Sequence, residues 1–382
     1  MKPRIAIVGG GPGGLTLARI LYQHGWQATV FEREADPLAR PQGGTLDIHA
    51  DSGQQALALA GLTDEFLRIA RYDDQGTRLL DMHGRVLYEE ADASSGNRPE
   101  VDRTALRAML LSSLPEQSVR WNSDVRELRE GGEGDWQLVL TDGSIETFDL
   151  VVGADGAWSR LRPLLSPYKP QYSGLSFIEF GIDDVDRQHP ALAALVGRGK
   201  LDAEGDGKGL IVQRNGNAHL RGYAVFRVPM SWVERTFDFT DPSAARAELL
   251  RQFDGYAPEL LDLIRASNDH IVPRYIHALP VGHRWPHRRG LTLLGDAAHL
   301  MSPFGGEGVN AAMLDAAELA MQLVDNKDWD AAVAAYEAHM FERVLVAAEG
   351  SAEAAATQLS HDGLALSLDH WRSHAALQEA AA

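Results

Sequence analysis

The sequence predicts an α/β chain: a parallel sheet wound with helices, an antiparallel sheet inserted into it, and a long C-terminal helix. Three observations carry this reading. RIAIVGG at 4–10 is a short β-branched run that ends in glycines, and an apolar stretch of helical period follows it. From about 171 to 230 the residues alternate apolar and polar around Asn215-Gly216, a strong hairpin signal. After residue 290 the parallel-strand texture returns in LTLLGDAAH and passes into alanine-rich helix.

Composition bounds what such a chain does. With 382 residues, 45% of them hydrophobic, there is material for two ordinary domains or one large fold with an insertion. Thirty-six basic against 54 acidic residues give a formal charge of −18, which argues against nucleic acid and anionic lipid as partners. No cysteine is present, so thiolate catalysis, disulfides and cysteine-held metal are excluded. No apolar run reaches bilayer length. MKPRIAIVGGG enters a glycine loop too early for a signal peptide, so the cytoplasm is the expected compartment. A monomer is the expected state.

The elements follow in order. Arg4 to Gly10 reads as a buried parallel strand, and GLTLARILYQHG as a helix with Gly25 at its end. QATVFERE is a second strand closing on Glu32. Gly9, Gly11 and Gly14 satisfy G-x-G-x-x-G between strand and helix. Gly9 allows the turn, Gly11 lets a pyrophosphate approach the backbone, and Gly14 lets the helix pack on the strand. Glu32 is placed to accept hydrogen bonds from a ribose 2′-OH, which suits FAD or NAD and disfavours the extra phosphate of NADP in this turn. A glycine turn alone is common; the order strand, turn, helix, strand, acid makes this a Rossmann-like unit.

RPEVDRTALRAMLLSSL at 98–114 reads as a helix with Asp102 at its start, followed by antiparallel strands in WQLVLTDGS and before FDLVVGADG. DLVVGADGAWSRLR at 149–162 then carries Asp155-Gly156, Ser159 and Arg162. GDAAHLMSPFGGEGVN at 295–310 leaves one carboxylate, Asp296, among small residues before a helix starting near Glu307. So little side chain there gives a ligand room to meet the backbone. The N–H groups from Gly306 to Asn310 open a helix whose positive end favours negative charge. Glu307 reads as a first-turn carboxylate and His299 as a structural residue.

Three such motifs in this order resemble the group A FAD-dependent aromatic hydroxylases. Segments 40–62, 98–114 and 295–310 are similar to the tetracycline-inactivating flavin monooxygenases. The resemblance implies a para-hydroxybenzoate-hydroxylase-like fold. A discontinuous FAD-binding domain would span 1–70, 98–165 and 280–325, with a substrate domain at 71–97 and 166–279 and a C-terminal helical segment at 326–382. It implies FAD contacts at Gly9, Gly11, Gly14, Glu32, Arg33, Asp47, Arg103, Asp155 and Asp296, continuing at Pro303, Gly306, Gly308, Val309 and Asn310. Arg40 would contact NADPH. Substrate would meet Glu179, Lys200, Arg221, Tyr223, Pro303, Phe304 and Gly305, between the flavin and the inserted sheet.

In that family NADPH reduces the flavin and leaves, O₂ adds to give a C4a-hydroperoxide, and an electron-rich carbon takes its distal oxygen. The flavin carries the chemistry, so no catalytic side chain and no metal site are expected. One dinucleotide fold is present, so NADPH binds transiently at a surface groove. Glu179, Lys200 and Arg221 stand where the tetracycline-inactivating enzyme has glutamine, arginine and histidine. A carboxylate for an amide reverses what is bound, so reaction class transfers better than substrate. In the hairpin, His219, Arg221, Tyr223, Val225 and Arg227 fall on one face and Leu220, Ala224, Phe226 and Val228 on the other, the first being a pocket wall or a solvated face. A flavin-dependent reductase and a non-catalytic flavoprotein binder are the alternative readings. The W-x-W spacing of halogenases is missing.

Overall fold

The computed structural model describes residues 2–39, 43–90, 97–132, 134–357, 359–360 and 363–369. The chain divides into two compact units. One comprises Met1–Ala70, Val101–Gln171 and His277–Ala352, the other Arg71–Glu100, Tyr172–Ile276 and Glu353–Ala382.

The first unit is built on five parallel strands in the order Leu291–Leu293, Leu150–Gly153, Ile5–Val8, Ala28–Phe31 and Val119–Arg120. Ile5–Val8 and Leu150–Gly153 are buried at every position, which is why both read as unbroken apolar runs. The Pro12–Gln23 helix has Pro12 in its first turn, where a missing N–H costs nothing. It stops at Gly25, in the left-handed region at φ +68°, whose N–H donates to the Tyr22 carbonyl at 3.0 Å. Leu17, Ile20 and Leu21 pack into the core from this helix, each worth about 1.5–3 kcal/mol of burial.

Three antiparallel strands, Val125–Glu130, Trp136–Leu140 and Ile145–Phe148, form a separate small sheet. The helix begins where Asp102 marked it, with Asp102 as the N-cap of Arg103–Ser112. The residues just ahead, expected within the helical segment from 98, form a short strand over Glu100–Asp102. That strand is held by its neighbour in a two-stranded sheet, Thr45–Asp47. Two long helices follow, Glu307–Asp325 and Trp329–Thr357, the latter continuing past Ala352. Tyr336 of the latter is fully buried and donates its hydroxyl to the Leu293 carbonyl at 2.9 Å. No helix among the described residues is long and apolar enough to cross a membrane.

The second unit is a seven-stranded sheet in the order Val272–Ala278, Gln171–Ile182, His219–Arg227, Lys208–Asn215, Gly199–Gly205, Gly76–Asp81 and Val86–Glu90. Where pairings are resolved they are antiparallel, except for the parallel pair of Gly199–Gly205 with Gly76–Asp81. Ile178, Phe180, Leu210, Val212, Leu220, Ala224 and Phe226 share a core with Val233, Phe237, Leu249 and Leu260 of the covering helices. Glu179, Arg221 and Tyr223 occupy the opposite face, as their alternation requires.

The hairpin at 208–227 is present, but its turn differs from a two-residue Asn-Gly loop. Asn215 pairs with His219, and the left-handed residues are Asn217 at φ +58° and Ala218 at φ +52°. Asn-Gly marked the place of the hairpin, and the left-handed pair sits two residues further on.

Candidate active site

The glycine turn works by close packing. A Cβ on Gly9 would strike the Ala154 carbonyl, and one on Gly14 would strike the Gly9 carbonyl and press on Ile7. A Cβ on Gly11 would meet nothing within 4 Å. Gly9 and Gly14 thus bring strand and helix together, while Gly11 leaves an open approach to the first turn of the Pro12–Gln23 helix.

Glu32 faces this turn with only 8% of its surface exposed. Its carboxylate accepts the Gly10 N–H at 2.8 Å and the Glu34 N–H at 3.0 Å. Arg107 completes the arrangement: it is 3% exposed, donates to the Gly10 carbonyl at 3.2 Å, and lies 2.8 Å from Glu34. Sequence reasoning missed Arg107, although an arginine among the buried Leu106, Met109 and Leu110 of one helix was a usable signal. Arg33 and Arg103 are exposed, and the Arg103 N–H donates to the Gly44 carbonyl at 3.1 Å. Arg40 lies outside the described residues.

The second motif is pinned from inside. Asp155 accepts the Arg160 N–H at 2.8 Å through Oδ2, while its buried Oδ1 has no hydrogen-bond partner among the described residues. Burial pushes the Asp155 carboxyl above the usual range, against the opposing influence of its hydrogen bonds. Ser159 Oγ accepts the N–H groups of Leu161 and Arg162 at 3.1 and 3.0 Å. Arg162 then reaches across to the third motif, donating to the Ala297 carbonyl at 2.8 Å and the Asp296 carbonyl at 3.3 Å.

In that third motif Asp296 is exposed, although Gly295, Ala297 and Ala298 around it are buried. Its Oδ1 is the nearest atom, at 3.8 Å, to a Cβ built on Gly308. Asp47 lies at the same helix start, its carboxylate 2.8 Å from a Cβ built on Gly306. Gly306 is left-handed at φ +67° and caps the Glu307–Asp325 helix. Asn310 is wholly buried, and its side chain is committed to the 47–49 segment: it accepts the His49 N–H at 2.9 Å and donates to the Asp47 carbonyl at 2.9 Å. Val309, Phe304 and Gly305 are half-buried and Pro303 exposed.

Behind the turn, Asp315 is fully buried and accepts three donors: the Gly295 N–H at 2.8 Å, His299 Nε2 at 2.6 Å and Arg343 at 2.7 Å. Burial alone would lower the His299 pKa, but the Asp315 carboxylate overrides it and raises it. His299 therefore holds the turn in place. Asp315, also unforeseen, was visible as an acid inside the apolar stretch AAMLDAAELA.

In the second unit, Glu179 is 3% exposed and its carboxylate is clamped by Arg221 at 2.5 Å and Arg274 at 2.8 Å. Tyr223 pairs directly with Glu179, and Lys200 lies 3.0 Å from Asp202 on the same face. Arg274 had not been singled out from the sequence. Among the described residues no group of three histidines, aspartates or glutamates is arranged to hold a metal ion.

This geometry fits FAD. An open glycine turn at one helix start would take the pyrophosphate, and an exposed carboxylate beside side-chain-free Gly308 would take ribityl hydroxyls. Comparison with known proteins agrees. The FAD binding domain family matches residues 2–350. The chain is 34% identical over 368 residues to monooxygenase penA of Penicillium thymicola, covering 84% of each. Klebsiella pneumoniae HpxO, solved with FAD and uric acid, has a TM-score of 0.80 at 24% identity, over 97% of this chain and 92% of that one. Tetracycline destructase Tet(51) gives 0.69 at 23% identity, over 99% and 96%. The chain belongs to the FAD binding domain family. It is an FAD-dependent monooxygenase of the aromatic-hydroxylase type, with the para-hydroxybenzoate-hydroxylase-like α/β fold.

Proposed function

We propose that this FAD-dependent monooxygenase uses NADPH and O₂ to hydroxylate an electron-rich phenolic, enolic or polycyclic small molecule, with tetracycline-like compounds among the candidates. The bound flavin supplies the redox chemistry and the transfer of one oxygen atom. The chain's own residues bind, orient and polarise. The first turn of the Pro12–Gln23 helix offers N–H groups to the pyrophosphate through the gap at Gly11. Asp296 accepts ribityl hydroxyls, and the start of the Glu307–Asp325 helix favours negative charge on the ring system.

The observation that carries this reading is the exposed Asp296 carboxylate standing in a buried turn opposite Gly308. Substrate recognition falls to the polar face of the second unit's sheet. There Glu179 is already neutralised, so it orients Arg221 and Arg274, whose guanidinium groups are the donors offered to a substrate oxygen. Buried Arg221 Nε has no hydrogen-bond partner among the described residues. Pro303, Phe304 and Gly305 form the short helical turn ahead of Gly306, beside the proposed flavin position. We place the reaction in the cytoplasm, carried out by a monomer.

The test is a mass-spectrometric screen of tetracyclines, polycyclic phenols and urate-like heteroaromatics with NADPH under ¹⁸O₂. The expected result is a product carrying one labelled oxygen, with NADPH consumption stimulated by that compound. Flavin-loaded protein that gives no labelled product across the panel contradicts the hydroxylase reading.

A further inference from the structure

His49 is 3% exposed and stands two residues after Asp47, in the stretch that meets the start of the Glu307–Asp325 helix. Both of its ring nitrogens turn toward carboxylates. Nε2 lies 2.9 Å from Asp47 Oδ2, and Nδ1 lies 3.7 Å from Glu307 Oε2. The second distance is too long for a hydrogen bond, so Asp47 is the ring's partner. A carboxylate only accepts, which puts a proton on Nε2 and makes the ring the donor. A buried histidine paired with an acid is ordinary by itself; the position of this acid is not.

Asp47 keeps 33% of its side chain open although its partner is enclosed. Its carboxylate oxygens lie 2.8 and 2.9 Å from a Cβ built on Gly306, the left-handed cap of the helix. A side chain at 306 would push the acid away from the helix start, where unpaired backbone N–H groups and the positive end gather. Asn310 fixes the same stretch through its backbone, accepting the His49 N–H and donating to the Asp47 carbonyl. The backbone and the side chain of Asp47 are therefore held separately, one by Asn310 and the other by His49.

We propose that His49 is a positioning residue of the cofactor site: its Nε2–H fixes the rotamer of Asp47, so that the carboxylate meets the hydroxyls of FAD already aimed. This rests on the placement of FAD against the start of that helix, proposed above. His49 acts through Asp47 rather than by touching the cofactor. Rotamer freedom given up in the empty protein is not lost again on binding, so the constraint tightens FAD.

The experiment titrates deflavinated wild type and the variants His49→Leu, His49→Gln and His49→Asn with FAD, alone and in an Asp47→Ala background. A glutamine amide places a donor near the Nε2 position, an asparagine amide near Nδ1. His49→Leu and His49→Asn are expected to raise the FAD dissociation constant about 5- to 20-fold, and His49→Gln to recover most of that loss. In Asp47→Ala, itself weakened, none of the three should add a further change. Where His49→Leu does not fold, the difference between glutamine and asparagine decides alone. Equal constants for those two, or wild-type constants in all three, overturn the role of His49. So does a loss that persists in full in the Asp47→Ala background, which marks a general effect on the fold. Asp47→Ala that binds FAD as tightly as wild type removes the contact at Asp47, and this proposal with it. Wild type that binds no FAD overturns the underlying placement.

Discussion

Arg162 donates from Nε to the Ala297 carbonyl at 2.8 Å, so the last residue of one sequence motif holds the turn of another 135 positions away. The guanidinium is 2% exposed. Burial pulls its pKa below the usual arginine value, against the opposing charges of Asp155 and Asp296. Arg162→Met would leave the carbonyls of Ala157 and Ala297 without their donor, costing roughly 2–4 kcal/mol in denaturant unfolding and depleting FAD. Arg162→Lys should recover only part, because an ammonium lacks the guanidinium fork. A methionine variant that unfolds like wild type would show that this bridge is idle.

Asp296→Ala should separate binding from folding. The side chain is exposed, so melting of the flavin-free protein is expected to change by about 0.5 kcal/mol or less. FAD occupancy after purification should fall to a small fraction of wild type, read from visible absorbance. Full occupancy would count against the ribityl role.

The two kinds of glycine should respond differently to alanine. Gly14→Ala drives a Cβ into the Gly9 carbonyl and is expected to destabilise the fold by about 2 kcal/mol or more. Gly11→Ala meets open space, so stability should hold while FAD affinity drops. Equal stability losses for both would contradict the division of labour.

Much of this was legible because the decisive patterns are local. Buried parallel strands show as unbroken apolar runs, and glycines that pack against backbone have no substitute. What escaped was decided by partners distant in sequence. Val125–Glu130 was missed because only Val125 and Leu128 are buried, a spacing of three produced by the register shift between Val125 and Glu127. Arg107, Asp315 and Arg274 were passed over because their meaning depends on what they bridge. Glu179 was placed by resemblance, but its pairing with two guanidinium groups depends on strand register.

The His299–Asp315 pair predicts a pH signature. The His299 pKa is raised above 6.5, so its contribution to stability is complete below 6.5 and fades as pH climbs through the raised folded value. Asp315 is lowered from 3.8 despite burial, chiefly by the His299 charge, so its contribution is complete above 3.8 and fades as pH falls through the lowered value. The stability gap between wild type and His299→Gln should be widest between those limits and narrow on the alkaline side. A gap that widens with rising pH would reverse the assigned charge on His299.

Changes on the sheet face should spare the flavin. Arg221→Ala is expected to raise the KM of an accepted substrate about 10-fold or more, with FAD content unaltered. It also strips Glu179 of one partner, so unfolding free energy should drop by about 1–3 kcal/mol. An unchanged KM would remove Arg221 from substrate recognition.

The central claim is that three side-chain-poor turns in one chain converge on a single FAD, and titrating deflavinated protein with FAD tests it most directly. Wild type should bind one FAD per chain, with the affinity largely lost in Asp296→Ala and weakened in Gly11→Ala. Protein that refuses FAD, or binds it equally well in all three forms, would contradict the account.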